Sequence, residues 1–324
     1  MTEQTKKWKS RFLSSSVPLE FEVAKTLTNL KFNVSYDYSY LRKDGLEAKE
    51  FSTDILGQIY FPTNNKDIVN ASLAVIAECK YRDEGKKWIF VPELYHQDST
   101  KFVIGNTIRA FGEMSKDEVN TNLFFDFDRG FESTMKGIEI NINTGEVFDK
   151  DVKHGINQLK FALPYLIKDS LEFNMYGHID DAKPWYVLPI LVTNADLYVL
   201  RKEFSIDLLK TIDNIEDISD KVPYLILNSD IGPDFTGHHR MVFENFFADN
   251  KGNTSLKSLD ESQMKFKDGE LGIYNSPIDL CRELDESNKW TLIKYYSQFF
   301  VCSLDNFETL IKDIIEVVPK SIVV

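Results

Sequence analysis

Residues 71–82 read ASLAVIAECKYR. From Ala71 to Ala77 only Ser72 is polar, and the run is bounded by charge on its C-terminal side. A short apolar run of this kind suits a strand buried on both faces. Strand alternation then puts Ala74, Ile76, Glu78 and Lys80 on one face. That face starts apolar and ends ionisable, as a central strand does where it leaves a core and opens into a cleft.

Two alternating stretches precede it, 32–41 and 49–61, separated by the hairpin-type turn Lys43-Asp44-Gly45. Before them, 18–31 carries a helical stripe of Phe21, Val23, Ala24, Leu27 and Leu30, with Ser15 or Ser16 at its start. After the apolar strand, Asp83-Glu84-Gly85 makes a turn into a strand at 87–91. The pattern further predicts a short helix over 105–114, strands over 123–127 and 137–142, and an amphipathic helix over 151–167. Residues 185–200 read as two strands about the turn Thr193-Asn194-Ala195-Asp196. Strands follow at 222–227 and 294–303, with a polar connection over 245–268 between them and a closing helix over 307–318. This order predicts an α/β (α+β) chain, a mixed β-sheet flanked by helices.

Composition narrows the class. The 324 residues are 43% apolar and 13% aromatic, enough for a sizeable core, and a charged fraction of 27% excludes neither a globular fold nor a local binding groove. The net charge of −13 argues against a generally basic nucleic-acid coat. It is unevenly spread: residues 1–201 carry −4, residues 202–288 carry −9 and residues 289–324 are neutral. Cys79, Cys281 and Cys302 are scattered and odd in number, so neither a disulfide framework nor a zinc spacing can be drawn. The basic start MTEQTKKWKSRF has no signal-length apolar core after it, and no run reaches membrane-spanning length. A cytoplasmic protein with no membrane partner is the expectation.

The chemistry resides in Asp54, Glu78 and Lys80. Asp54 lies in FSTDILGQIYF, 24 residues before Glu78. If the two strands pair antiparallel, the carboxylates converge. Two carboxylates so close repel, and one is driven to take a proton unless a cation intervenes. Oxygen ligands suit Mg²⁺, with the backbone carbonyl of Cys79 as a third ligand. Lys80 is placed to activate a water and offset charge on a phosphate. Glu22, from the first helix, is expected to touch the metal through water. These parts suit metal-assisted hydrolysis of a phosphodiester.

A helical Glu in PLEFEVAKTL, Asp54 in its strand and Glu78-Cys79-Lys80 together resemble the PD-(D/E)xK nuclease superfamily, with an Mrr-like core. The resemblance covers about residues 15–201, roughly three-fifths of the chain. Thr53 stands where many members have proline. The resemblance implies a restriction-endonuclease-like sheet, completed by the helix 151–167 and the strand 188–193, with Gln158 matching a polar residue that some members carry. It implies catalytic Glu22, Asp54, Glu78 and Lys80, a Mg²⁺ cofactor for which Mn²⁺ substitutes, and DNA rather than RNA as substrate. Bacterial restriction or antiphage defence is the implied setting. On this division residues 1–201 form the nuclease-like domain and 202–324 a C-terminal extension for recognition or partner binding. The acidic 202–288 stretch is expected to face a protein, and a homodimer would suit cutting of both strands. The alternative is a non-catalytic assembly subunit on the same fold.

Other motifs read more plainly. Asp126 and Asp128 have a DxD spacing but fit an ordinary edge strand. Gly237-His238-His239-Arg240 is expected as an exposed loop. Lys6, Lys7, Trp8, Lys9 and Arg11 interleave bases with an aromatic, as nucleic-acid contacts do and as frayed termini also do. Lys86 and Lys87 are candidates for phosphate contact, and Trp88, Trp185 and Trp290 for base stacking if exposed. Neither a P-loop nor a dinucleotide-binding glycine run is present.

Overall fold

The apolar run at 71–77 becomes the middle of β3 (Val69–Lys80), buried continuously from Asn70 to Cys79. In the computed structural model β1 (Asn33–Asp44), β2 (Glu47–Pro62) and β3 form an antiparallel meander. The structure describes residues 3–44, 47–62, 69–94, 107–111, 118–120, 123–124, 127, 130–176, 183–250 and 296–323. On its other side β3 pairs in parallel with β9 (Trp185–Thr193), from Ser72↔Trp185 to Lys80↔Thr193. A parallel pair needs a crossover, and α3 (Lys150–Tyr176), which leads into β9, packs over both strands.

The sheet extends well beyond these strands. β4 (Lys86–Pro92), β5 (Arg109–Phe111), β7 (Ser133–Asn141), β8 (Val147–Phe148), β10 (Asp196–Leu200), β11 (Ser219–Val222), β12 (Tyr224–Asn228) and β13 (Gln298–Ser303) all join it. The order is β1-β2-β3-β9-β13-β12-β7-β4-β10-β11, with β5 on β9 and β8 on β7, making a 12-stranded mixed sheet. β6 (Glu118–Val119) and β14 (Ile322–Val323) pair separately.

Helices cover both faces. Val152, Ile156, Leu159 and Leu163 of α3 share a core with Ala74 and Ile76, which Phe235, Val242, Phe243 and Phe246 of α5 (Pro233–Asn250) extend where α5 packs on α3. The opposite face of β3, from Leu73 to Cys79, packs under α2 (Val17–Asn29) and α6 (Leu304–Lys320). Alternation therefore splits β3 between two cores, which is why its sequence is apolar on every residue rather than every second one. Two more α-helices, α1 (Glu3–Ser14) and the short α4 (Ile206–Leu209), and a 3₁₀ turn (Ile215–Asp217) are also described.

β3 and β9 both stop at one level, and the chain restarts both: β4 and β10 again lie side by side, in parallel from Asp196↔Lys87. The gap is bridged by side chains. The Arg82 N–H donates to Asn194 Oδ1 at 2.6 Å, and Asn194 Nδ2 donates to the Arg82 carbonyl at 2.8 Å. Thr193 Oγ1 donates to the Lys80 carbonyl at 2.8 Å. The turn at 83–85 forms as expected, with Gly85 at φ 88°.

Several expectations change. Residues 193–196 do not close a hairpin, because β9 pairs with β3 and β10 with β4. Arg109–Phe111 is a strand on β9 rather than part of a helix, and Leu123 and Phe124 are helical rather than extended. The boundary at residue 201 is absent from the sheet: β13 and β12 lie between β9 and β7, so residues beyond 201 occupy its middle. His238 and His239 are buried in α5, not exposed in a loop. Asp126, Asp128, Cys281, Trp290 and most of the 245–268 connection lie outside the described residues.

Candidate active site at the end of β3

The β2–β3 ladder ends at Ile55↔Ala77, and one register step further Asp54 stands opposite Glu78. The convergence expected from the sequence is thus the geometry of the fold. Asp54 Oδ2 accepts a hydrogen bond from the Cys79 N–H at 2.6 Å. The Cys79 backbone therefore meets Asp54 through its N–H, and its thiol lies on the opposite, α2-covered face. Glu78 is fully buried, with Lys80 Nζ donating to its Oε1 at 2.5 Å and its Oε2 having no hydrogen-bond partner among the described residues.

Lys80 is held from the helix side as well. Its Nζ donates to Gln158 Oε1 at 3.2 Å, and Gln158 Nε2 donates to the Ser52 carbonyl at 3.2 Å. α3 comes this close because of Gly155. A Cβ there would meet Leu191 Cδ1 at 2.6 Å and Lys80 Cε at 3.5 Å, so any side chain pushes the helix or Leu191 away. The N-terminal end of α3 is tied down by Arg82, whose Nη2 lies 3.3 Å from the Asp151 carboxylate. Arg82 and Lys86 also share the buried Glu139, which accepts a further bond from Trp88 Nε1 at 3.1 Å.

The electrostatics are those of crowded acids. Burial pushes the Glu78 carboxyl up to about 8, and the Asp54 charge adds to this. Lys80 and the Asp54 N–H oppose the rise without cancelling it. Burial also raises Asp54, against the lowering effect of the Cys79 N–H and Lys80. His154, one turn before Gln158 on α3, is lowered by burial and by Lys80.

The structure corrects the helical glutamate. Glu22 is half exposed and lies 3.5 Å from Lys25 on the outer side of α2, away from Asp54. Glu20 takes its place: burial first, then the charges of Asp54 and Asp37, push its carboxyl up to about 7. The reason is helical phase. The buried residues of α2 are Leu19, Val23, Ala24 and Leu27. At 100° per residue Glu20 falls inside that stripe and Glu22 on the far side. Counting Phe21 as a core position misplaced the stripe; it is 57% exposed.

Asp37 was likewise not anticipated. It sits in β1 with φ 56°, between the pairs Tyr36↔Ile55 and Tyr38↔Thr53, and so beside Asp54. Asp37, Asp54 and Glu78 thus form one row across three strands. The row was readable only after the register was known.

Other expected contacts dissolve. Lys86 is 3.0 Å from Glu139, and Lys87 donates to Glu216 and Tyr198, each at 2.9 Å. Trp88 and Trp185 are buried. Among the described residues no group of three or more His, Cys, Asp or Glu side chains is close enough to hold a metal ion. The oxygen donors present nonetheless fit a hard cation, Glu78 Oε2 being buried and without a hydrogen-bond partner among the described residues.

No protein-family model matches the chain, and neither a curated protein nor a solved structure matches it. Among the described residues no helix is long and apolar enough to cross a membrane.

Proposed function

We propose that the chain is a Mg²⁺-dependent nuclease of the PD-(D/E)xK type, hydrolysing DNA phosphodiester bonds. One observation carries this reading: Asp54, Glu78 and Lys80 meet at the C-terminal end of a buried strand, with Glu78 Oε2 unpartnered among the described residues. The order α2, β1, β2, β3, α3, β9 supports it, since this is the helix–meander–helix–strand core that the sequence resemblance implies.

Asp54 and Glu78 are the residues to hold the metal, with water filling the remaining positions, as Mg²⁺ usually retains several. Bound there, the ion supplies positive charge at the phosphoryl oxygen. Lys80 orients the attacking water and offsets charge on the phosphate, while Gln158 fixes the direction of its ammonium. Glu20, rather than Glu22, supports the cation from α2. Mn²⁺ satisfies the same oxygen donors. A role in restriction or antiphage defence, a homodimer and a protein partner for the acidic 202–288 stretch belong to the same proposal.

The non-catalytic alternative has its own observation. Lys80 closes directly on Glu78, an arrangement that stands as a structural ion pair without metal. Cleavage of plasmid and oligonucleotide DNA and RNA with Mg²⁺ or Mn²⁺ separates the two readings. Asp54→Asn and Lys80→Ala are expected to lower the cleavage rate by at least about 100-fold with the fold intact. Metal-dependent cleavage that persists in both variants, or its absence from the wild-type protein, rejects the nuclease reading.

A further inference from the structure

Lys160 is 4% exposed and lies on α3, two residues beyond Gln158. Its ammonium donates to Ser229 Oγ at 2.6 Å and to the Asp230 carbonyl at 2.8 Å. Both partners are neutral oxygens, and an ammonium has three donors. A buried cation held only by neutral groups is costly unless a counter-charge reaches it. Burial lowers its pKa to about 8; Lys153 adds to the fall and the Asp230 charge opposes it.

Lys160 lines a cleft of about 630 Å³ between α3, β7, the end of β12 and the start of α5. That volume is in the range of small-molecule sites. Lys136 and Lys153, both exposed, and Arg42 line the same cleft. Arg42 is committed, lying 2.5 Å from Asp234 Oδ2 with its guanidinium 3.6 Å from the centre of the Phe161 ring. Three lysines therefore remain against Asp149 and Asp230. Asn157 adds an amide donor.

We infer that this cleft is a phosphate-binding site, with Lys160 at its floor and Lys136 and Lys153 at its rim. Three separate ammonium groups suit a ligand with several anionic oxygens better than they suit a single carboxylate. The site is distinct from the Asp54–Glu78 centre and does not depend on it. Asn157 and Lys153 face the cleft, whereas their neighbours Gln158 and His154 face the carboxylates. The two sites therefore lie on adjoining faces of α3. The phosphate comes from one of two sources: the backbone of a nucleic acid that also reaches the carboxylates, or a free nucleotide.

Calorimetric titration of the full chain without divalent metal tests this, using inorganic phosphate, deoxyadenosine monophosphate and a short DNA duplex as probes. Lys160→Met is expected to weaken binding at least about 10-fold, and Lys153→Ala about threefold. Displacement of the duplex by phosphate, with both lost in Lys160→Met, identifies backbone phosphate as the ligand. Binding of phosphate and the mononucleotide but not the duplex identifies a free nucleotide. Failure of all three probes to bind, or wild-type affinity in a folded Lys160→Met protein, overturns the inference. If Lys160→Met does not fold, Lys153→Ala and Ser229→Ala decide, and unchanged affinity in both overturns it. Cleavage does not enter these measurements, so the nuclease reading stands or falls separately.

Discussion

Glu20 and Glu22 are two residues apart in one helix and have opposite environments. Glu20 feels the charges of Asp54 and Asp37, whereas Glu22 pairs with Lys25 at the surface. Exposed pairs of this kind contribute little, about 0.3–0.5 kcal/mol at helical spacing. Glu22→Gln is therefore expected to leave Mn²⁺ affinity and stability within error. Glu20→Gln removes a negative charge from the carboxylate group and is expected to weaken Mn²⁺ binding about threefold to tenfold. Titration of Mn²⁺ into both variants checks this, and a larger effect at Glu22 refutes the assignment. The Asp–Glu-x-Lys set itself was readable from strand alternation. The helical glutamate was not, because a resemblance pointed to one position and the helical phase selects another.

Elements carry a second consequence, in the packing of α5 on α3. His239 is fully buried among Phe235, Phe243 and Tyr296, and among the described residues neither ring nitrogen has a hydrogen-bond partner. Its neighbour His238 meets only the Phe161 carbonyl, through Nε2 at 2.9 Å. Burial pushes the two side chains down to about 3 and about 4. Both are neutral in the fold, while an unfolded histidine takes a proton near pH 6.5. The unfolded state binds more protons below that value, so stability is fully present above about pH 6.5 and is lost as the pH falls toward 4. The melting temperature is expected to fall through this window, and His239→Phe to flatten the fall while leaving stability at pH 7 unchanged or raised. A thermal melt series from pH 7 to pH 4 checks both; equal slopes in the two proteins refute the role of His239. The sequence placed this histidine pair in a loop because, beside Phe235 and Phe243 on the same helix, it is covered by Phe161 and Tyr165 of α3 and by Tyr296, all far away in the chain.

At the scale of the whole molecule, residues 1–201 do not stand alone. β13 covers the edge of β9, and α6 buries Phe307, Leu310, Ile311, Ile314 and Val318. At about 1.5–3 kcal/mol for each fully buried large apolar side chain, those five contribute roughly 8–15 kcal/mol. The net stability of a domain is about 5–15 kcal/mol, so losing α6 alone is enough to unfold it. A chain ending at residue 201 is thus expected to show no cooperative thermal transition, and a sharp one would contradict the shared core. Hydropathy and alternation alone determined the meander β1 to β3, the strands β4, β7, β9, β10, β12 and β13, most of α3 and the acid–lysine pattern on β3, since burial and local periodicity act along the chain; β5, β11 and α5 escaped them. Only the tertiary structure decided that Asp37 and Glu20 join Asp54, that Lys160 faces a cleft and that the last strands enter the middle of the sheet. Those outcomes depend on register, helical phase and long-range pairing, which bring together residues whose spacing in the sequence carries no signal of their contact.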